Sequence, residues 1–289
     1  MTGLVLKGVG GLYTVQTAEG VAEYRARGGL KKDGNILYVG DRVEIEENAV
    51  CRILPRKNCL IRPPLANLDR LLVVVAFSDP LPNLYTIDKL TVLAAYHGIE
   101  PVIVFNKIDL QDRLGILDIY GKTGLRCYSV CAAAGENVDL LQEEFRGRIC
   151  AFAGVSGVGK TSLMNQLDPN GKRETGTVST RSLRGRHTTR HVELFPVCGG
   201  MVADTPGFSN LEFDYFGLKD RTRLSECFPE FQPYLGKCRF PDCVHDREKD
   251  CAVRTAVEDG LIPLSRYESY LRMYEQIGPL RPWETRDSK

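Results

Sequence analysis

The sequence predicts a multidomain protein with three parts: an all-β barrel, a central α/β domain with a parallel sheet, and a mostly helical C-terminal part. Three observations predict this fold class. Short alternating segments fill residues 1–65, a buried strand runs directly into a glycine-rich loop at 154–161, and three cysteines and one histidine lie together between 238 and 251. The chain of 289 residues is long enough for two or three domains with a sizeable core.

The composition is typical of a globular protein, with 43% hydrophobic and 26% charged residues. The net charge of +1 gives no argument for a nucleic-acid partner. Residues 1–7 lack the apolar region of a signal peptide, and the longest clear apolar run, 71–77, is too short to span a bilayer. We therefore expect a cytoplasmic protein that binds no membrane. Seven of its ten cysteines are scattered singly and are expected to be thiols rather than disulfides.

Alternating apolar and polar residues predict short strands in the first 65 residues, separated by glycine-containing turns. Five or so strands in this length predict a small barrel of the OB-fold type. The segment carries ten basic and seven acidic residues, so an RNA-binding face and an ordinary solvated surface both stay open. Proline-containing stretches at 55–58 and 63–64 end the pattern and predict a first domain of residues 1–66. The predicted strands lie at 4–6, 12–15, 21–24, 35–39, 42–45 and 50–53.

The stretch 154–161 has the spacing G-x-x-x-x-G-K-[ST] of a phosphate-binding loop. The residues around it predict a strand at 148–153 and a helix from 162, which is the context that the motif requires. Glycine lets backbone N–H groups turn onto phosphate oxygens, Lys160 is expected to reach the β- and γ-phosphates, and Thr161 is expected to bind Mg²⁺. The predicted phosphate-binding residues are Gly154, Val155, Ser156, Gly157, Val158, Gly159, Lys160, Thr161 and Ser162.

A second motif follows a predicted strand at 101–105. Asn106, Lys107, Ile108 and Asp109 form an N-K-x-D loop at the carboxyl end of that strand, where ligands bind in open α/β sheets. The pattern resembles the guanine-reading loop of GTPases. A carboxylate at Asp109 can accept hydrogen bonds from both the ring N–H and the exocyclic amine of guanine, and adenine offers no matching pair of donors. We therefore predict that these four residues bind the base of GTP or GDP.

Two further segments have GTPase-like positions. A predicted strand at 125–130 ends in Cys-Ala-Ala, where GTPases carry a Ser-Ala-Lys-like segment whose backbone touches guanine. The match is loose, but we predict that Cys131 and Ala132 border the base. A predicted hairpin ends in Asp-Thr-Pro-Gly, a D-x-x-G motif. Asp204 is expected to hold Mg²⁺ through water, and the Gly207 N–H is expected to contact the γ-phosphate.

The segment 172–190 has six basic residues, one acidic residue and no apolar period. It predicts a mobile loop of the switch I type, with a plain flexible loop as the alternative. We prefer Thr189 over Thr188 as the magnesium ligand. Phe208 stands where Ras-type GTPases place a glutamine that orients water, and its ring cannot do so. His187 is therefore predicted to orient the water, although it can equally be a polar loop residue that contacts RNA. The predicted catalytic residues are His187, Lys160 and Thr189.

The order of these motifs along the chain is unusual. The guanine motif at 106 precedes the phosphate loop at 154, and the D-x-x-G motif at 204 follows both. A circular permutation produces this order without changing the site, because the ends of a compact domain often lie close together. The sequence therefore predicts a circularly permuted P-loop GTPase domain at residues 67–210.

The last predicted domain, residues 211–289, contains a possible metal site. Cys238, Cys243, His245 and Cys251 have the spacing C-x₄-C-x-H-x₅-C in a polar stretch. Three thiolates and one imidazole form a closed tetrahedral site for one structural Zn²⁺, because no coordination position is left for water. Buried cysteines with an unrelated histidine are the alternative. Helices are predicted around the cluster.

Together, these residues resemble the bacterial small ribosomal subunit biogenesis GTPases, which are circularly permuted. The resemblance covers essentially the whole chain, and the order of the motifs is its most specific feature. It implies an OB-fold domain, a permuted GTPase domain that uses GTP and Mg²⁺, and a zinc domain. It also implies that the protein acts late in the maturation of the 30S subunit and that the subunit and its 16S rRNA are its partners. GTP hydrolysis is then expected to be stimulated by the subunit. We expect a monomer.

Two alternatives stay open on the sequence alone. A P-loop kinase or ATPase would share the phosphate loop, but the N-K-x-D motif argues against it. An RNA-binding scaffold with a structural nucleotide site would keep every motif and lack hydrolysis.

Overall fold

The structure, a computed structural model, describes residues 1–28, 30, 36–61, 63–168, 192–204, 218 and 220–278. The N-terminal part forms a closed five-stranded barrel, as predicted. In it β1 pairs with both β2 and β4, and β3 closes the ring through β5. Val5, Val15 and Val43 are fully buried inside it, in agreement with the alternating pattern. The strands are β1 Thr2–Val9, β2 Leu12–Thr17, β3 Gly20–Ala26, β4 Arg42–Glu46 and β5 Ala49–Ile53.

The strand expected at 35–39 is the exception. Its described residues, 36–39, form no strand, and Val39 makes only an isolated bridge to Leu65. Local polar contacts fix this stretch instead. The buried Asp41 carboxylate accepts a hydrogen bond from the Tyr38 N–H at 2.7 Å and pairs with Arg56 at 2.6 Å. The alternation of apolar residues was therefore misleading here.

The junction between the barrel and the next domain is held by the segment that ends the barrel pattern. Arg56 stacks on the Tyr38 ring at 4.5 Å, and Asn58 exchanges hydrogen bonds with the backbone of Leu68 at 2.8 and 2.9 Å. A short ribbon of β6 Cys59–Leu60 and β7 Leu65–Ala66 follows. Lys7 of β1 also pairs with Glu193 at 2.7 Å, and the same two residues join the barrel to the central sheet.

The central sheet has five parallel strands in the order β10-β9-β8-β11-β13, with antiparallel β12 at its end. All residues of β8 and β11 are buried, as expected for strands covered on both faces. The strands are β8 Arg70–Ala76, β9 Glu100–Asn106, β10 Arg126–Ser129, β11 Ile149–Ala153, β12 Glu193–Val197 and β13 Gly200–Asp204. The helices are α1 Leu84–Tyr96, α2 Ile116–Gly121, α3 Gln142–Phe145 and α4 Lys160–Leu167.

The C-terminal part is mostly helical, as predicted, and it packs on the central domain. It contains α5 Ala252–Glu258, α6 Leu264–Ile277 and three short 3₁₀ helices between residues 221 and 234. Helix α6 contacts α1, and one continuous apolar core includes residues of both helices. Among the helices that the structure describes, none is long and apolar enough to span a membrane.

Charged side chains are buried where α6 meets α1. Arg266 is fully buried and donates to Glu230 at 2.6 Å and to Asp88 of α1 at 2.7 Å. Tyr120 donates to the same Asp88 oxygen at 2.7 Å, and burial raises the pKa of Tyr120 well above its usual value, so it stays a donor. This group of four side chains connects the C-terminal part to the central domain through hydrogen bonds made in the interior.

Candidate nucleotide site and metal centre

The phosphate-loop motif directly follows β11 and leads into α4, as the sequence predicts. Gly154 and Gly159 have φ angles of 134° and 97°. A Cβ atom on Gly154 would lie 2.4 Å from the Val74 carbonyl oxygen, and one on Gly159 would lie 2.1 Å from Nδ2 of Asn106. Both positions therefore require glycine for space as well as for backbone conformation.

Lys160 is the first residue of α4, and its ammonium group lies across the loop. Nζ donates to the carbonyl oxygens of Gly154 at 2.7 Å and Val155 at 2.8 Å. These contacts keep the positive charge beside the turn that the glycines form. Thr161 and Ser162 follow in the first turn of α4, where the helix N-terminus favours an anion.

Asn106 connects three loops of the site. Its Nδ2 donates to the Val158 carbonyl of the phosphate loop at 2.7 Å, and its Oδ1 accepts from the Ala132 N–H at 2.9 Å. The side chain is 2% exposed. Asn106 is predicted to bind the nucleotide, and both ends of its amide also hold the phosphate loop and the Cys-Ala-Ala segment together. One N–H and one oxygen lone pair of the amide are left for a ligand.

Two other side chains of the N-K-x-D loop contact neighbouring loops. Lys107 has a left-handed φ of 61°, and its ammonium donates to the Asp79 carbonyl oxygen. Asp109 is exposed, and the thiol of Cys131 lies 3.2 Å from its Oδ1. Gln166 of α4 donates to the Ala132 carbonyl at 3.1 Å. The structure therefore places the loosely matching Cys-Ala-Ala segment beside the N-K-x-D loop, and its contact with a base stays a prediction.

The γ-phosphate side of the site is described only in part. Asp204 ends β13, which lies beside β11 in parallel register, so its backbone reaches the same sheet edge as the phosphate loop. Its side chain lies outside the described part of the structure. His187, Thr188, Thr189 and Gly207 also lie outside the described residues.

The four predicted metal ligands converge on one point. Nδ1 of His245 lies 3.5 Å from the sulfur atoms of Cys238, Cys243 and Cys251, and two of these sulfurs are 3.9 Å apart. With usual zinc bond lengths, a tetrahedral ZnS₃N site requires N–S distances of about 3.6 Å and S–S distances of about 3.8 Å. The donor set and its spacing therefore fit Zn²⁺.

Hydrogen bonds from neighbouring side chains shape the loop that carries these ligands. The Glu248 carboxylate accepts from the N–H groups of Val244 at 2.8 Å and Asp246 at 2.9 Å. From α6, Tyr267 and Tyr270 donate to the carbonyls of His245 and Val244 at 2.7 and 2.8 Å. Such outer contacts orient metal ligands. The sequence indicated the ligands but not these supporting residues, whose roles depend on the fold.

Burial acts against charge at this cluster. It raises the pKa of the Cys243 and Cys251 thiols and lowers the pKa of His245. Three neighbouring thiolates would also repel one another. A bound cation removes both penalties, because a coordinated thiol is deprotonated and an imidazole binds metal in its neutral form.

An N-K-x-D loop, a phosphate-loop motif and the strand that ends in Asp204 meet at one edge of a parallel sheet, and the N-K-x-D loop comes first in the chain. These features define a circularly permuted GTPase. The RsgA N-terminal domain model matches residues 2–50, and the RsgA GTPase model matches residues 53–214. The chain therefore belongs to the RsgA family of small ribosomal subunit biogenesis GTPases, and its reaction is the hydrolysis of GTP.

Similar proteins support this assignment over nearly the full length. The small ribosomal subunit biogenesis GTPase RsgA of Carboxydothermus hydrogenoformans is 43% identical and covers 96% of this chain and 98% of its own. The RsgA of Caldanaerobacter subterraneus is 41% identical, with 95% of each chain covered. Two crystal structures have the same fold. YjeQ from Thermotoga maritima gives a TM-score of 0.81 at 34% identity, covering 96% of this chain and 98% of its own. YloQ, a circularly permuted GTPase, gives 0.78 at 30% identity, with 96% and 94% covered.

Proposed function

We propose that this GTPase acts late in the maturation of the 30S subunit and that docking on the subunit stimulates its hydrolysis of GTP. The observation that carries the proposal is the contact between the GTPase domain, which holds the candidate nucleotide site, and the C-terminal part, which holds the cysteine–histidine cluster. Arg266 joins the C-terminal part to α1 of the GTPase domain in the interior. A particle bound by the C-terminal part would therefore be connected to the domain that hydrolyses GTP through buried hydrogen bonds. The curated relatives are named for the small ribosomal subunit.

In the proposed site, Asp109 reads guanine, while Asn106, Lys107, Ile108, Cys131 and Ala132 border the base. The loop from Gly154 to Ser162 holds the phosphates, with Lys160 on the β- and γ-phosphates. Exposure of Asp109 and the position of Lys160 across the loop support these roles.

Mg²⁺ enters with GTP. We assign it to Thr161, Asp204 and Thr189, with the Gly207 N–H on the γ-phosphate. The position of Thr161, directly after Lys160 in the first turn of α4, supports its assignment as a magnesium ligand. The metal supplies charge neutralisation on the phosphates, and the protein side chains hold it.

One structural Zn²⁺ per chain is assigned to Cys238, Cys243, His245 and Cys251. The ligand atoms all lie within 4.8 Å of one another, which supports a closed site. The barrel of residues 1–66 and the zinc domain are assigned to contacts with 16S rRNA, in a cytoplasmic and monomeric protein. Residues 67–210 are assigned to the GTPase domain and residues 211–289 to the zinc domain.

Turnover of GTP with and without purified 30S subunits tests the proposal. We expect slow turnover by the isolated protein and a large increase with 30S subunits, whereas 50S subunits and ATP serve as matched controls. Negligible hydrolysis with 30S subunits present would instead support an RNA-binding scaffold with a structural nucleotide site. Equal stimulation by 50S subunits would remove the assignment to the small subunit.

His187 is proposed to orient the attacking water, because Phe208 cannot do so. His187→Ala should keep GTP affinity and 30S binding but lose about 10²-fold of the stimulated rate. His191→Ala, four residues further on, is the control. A stimulated rate within a few-fold of the parent would indicate instead that a group on the subunit orients the attacking water.

A further inference from the structure

Strand β1 belongs to the barrel and also contacts the central domain. Val5 is fully buried in the barrel core, whereas Leu4 and Leu6 pack against the apolar core of the central domain. The pairing of β1 with β2 contains one extra residue of β1 between Val5 and Lys7, which is a β-bulge. A bulge changes the direction of the side chains beside it and often lies next to a functional site. The residue that follows this bulge is Lys7.

Lys7 joins the barrel to β12 through its backbone and its side chain. It lies opposite Glu193 in the antiparallel pairing of β1 with β12, and its ammonium lies 2.7 Å from Oε2 of Glu193. Within the described parts of the two strands, this is the one pair of residues in register. The neighbours of Glu193, Val192 and Leu194, are buried in the core of the central domain. The start of β12 is therefore bound to the barrel at this point.

Glu193 is paired on its other side as well. In the antiparallel pairing of β12 with β13 it lies opposite Asp204, the last residue of β13. Lys7, Glu193 and Asp204 therefore form one row across three neighbouring strands. The hairpin of β12 and β13 turns at the other end of the two strands, so this row lies at its open end. The open end of a strand pair is where it frays most easily.

The barrel contacts the central domain at a second place, at the opposite edge of the sheet. There Asn58 exchanges hydrogen bonds with the backbone of Leu68, and Lys57 pairs with Asp69 just before β8 begins. That is the amino end of a parallel strand, whereas nucleotides bind at the carboxyl ends. Of the two contacts, the pair of Lys7 and Glu193 is the one at the edge where the phosphate loop begins.

We infer that Lys7 and Glu193 are positioning residues for the magnesium site, acting through the backbone of Asp204. The inference rests on the proposed role of Asp204 as a residue that holds Mg²⁺. An ion pair at the open end of the hairpin limits fraying there, and so limits the motion of Asp204 before Mg²⁺ binds. Restricting motion in advance improves binding. The two side chains are 38% and 34% exposed, so solvent screens the pair and its effect is modest.

The Mg²⁺ dependence of nucleotide binding by the full-length chain tests this inference. The probe is a GTP analogue with an imido bridge between its β- and γ-phosphates, titrated at a series of Mg²⁺ concentrations and constant ionic strength. Lys7→Ala should raise the Mg²⁺ concentration that gives half-maximal binding by about 2- to 5-fold. GDP affinity without Mg²⁺ should not change. Lys7→Arg keeps a cation at this place and should restore the parent value.

Arg52→Ala is the matched control. Arg52 and Glu44 lie opposite each other on β5 and β4, and their side chains form an exposed ion pair at 3.8 Å inside the barrel sheet, away from β12. Its loss should leave the Mg²⁺ dependence as it is in the parent. An equal change in Arg52→Ala and Lys7→Ala would overturn the inference, because it would indicate a general effect of barrel stability.

Glu193→Ala shows how the pair acts. It should raise the Mg²⁺ requirement as Lys7→Ala does, and the double variant should be no worse than either single variant. A lower Mg²⁺ requirement in Glu193→Ala would overturn the inference, because it would mean that Glu193 acts on Asp204 by charge repulsion. An unchanged requirement in Lys7→Ala, or no recovery in Lys7→Arg, would overturn it as well.

Asp204→Asn separates this inference from the proposed function. If Asp204→Asn raises the Mg²⁺ requirement and Lys7→Ala does not, only the role of the ion pair is wrong. If Asp204→Asn also leaves the requirement unchanged, the assignment of Asp204 to Mg²⁺ is wrong, and the inference is wrong with it.

Discussion

The metal cluster and the nucleotide site are assembled in opposite ways. The four predicted ligands of the cluster lie within a short stretch, from Cys238 to Cys251, and their loop is held by Glu248 within it and by two tyrosines of α6. The nucleotide site joins Asn106, Ala132 and Val158, which come from three separate loops. A local site depends on its ligand residues, whereas a distributed site depends on the sheet that brings its loops together. The variants below test this difference.

The largest effect is expected at the metal cluster. Cys243→Ser should remove zinc and unfold the region from about residue 220, because structural zinc contributes about 10–16 kcal/mol in small zinc domains. GTP binding should largely survive, since the nucleotide loops are held by the sheet. Elemental analysis and hydrogen exchange measure the two effects. Cys198→Ser, a half-buried thiol outside the cluster, is the control and should keep one zinc per chain. If parent protein purified without chelators contains no zinc or similar metal, the site is wrong.

The next largest effect is expected where the two regions join. Arg266→Ala leaves the Asp88 and Glu230 carboxylates buried without their cation and should cost about 3–5 kcal/mol of unfolding free energy. Chemical denaturation measures it. Arg272→Ala, on the same helix but exposed and stacked on Tyr85 at 3.9 Å, should cost far less. Similar losses in the two variants would contradict the importance of the buried contact.

A smaller effect is expected from the connection between the nucleotide loops. Asn106→Ala leaves a buried carbonyl and a buried N–H unpaired, which should cost about 2–4 kcal/mol. Because these groups hold the phosphate loop and the Cys-Ala-Ala segment, the loss should weaken GDP and IDP alike. Zinc content should not change. Calorimetric titration with both nucleotides measures the effect, and a loss confined to GDP would mean that Asn106 contacts the base directly.

The smallest effect is expected at the base itself. Asp109→Asn should weaken GTP binding by about 1.5–3 kcal/mol, since it replaces a charged acceptor with a neutral amide. The affinity for xanthosine triphosphate should rise, because its ring carries a carbonyl where guanine has an amine. Competition binding measures the change in relative affinity for the two nucleotides. A variant that binds GTP as tightly as the parent would remove Asp109 from base reading.

The sequence predicted most elements correctly because their signals are local. Alternation predicted the barrel strands, and the continuous apolar run at 71–77 predicted the buried strand β8. The same reasoning failed at 36–39, where Asp41 and Arg56 outweigh the alternation. It also missed Arg266, because a single arginine in an amphipathic helix is normally exposed. Its partner Asp88 lies 178 residues away, and no local pattern connects them.

The sequence alone determined which motifs this protein has and in what order: the N-K-x-D motif, the phosphate-loop motif, the D-x-x-G motif and the four predicted metal ligands. Each of these is a short pattern, and its residue types and spacing follow from the chemistry of the group that it binds. Only the tertiary structure decided that the Asn106 amide hydrogen-bonds to two loops and that the Cys131 thiol contacts Asp109. Those contacts arise because parallel strands place their carboxyl ends at one edge of the sheet, however far apart they lie in the chain.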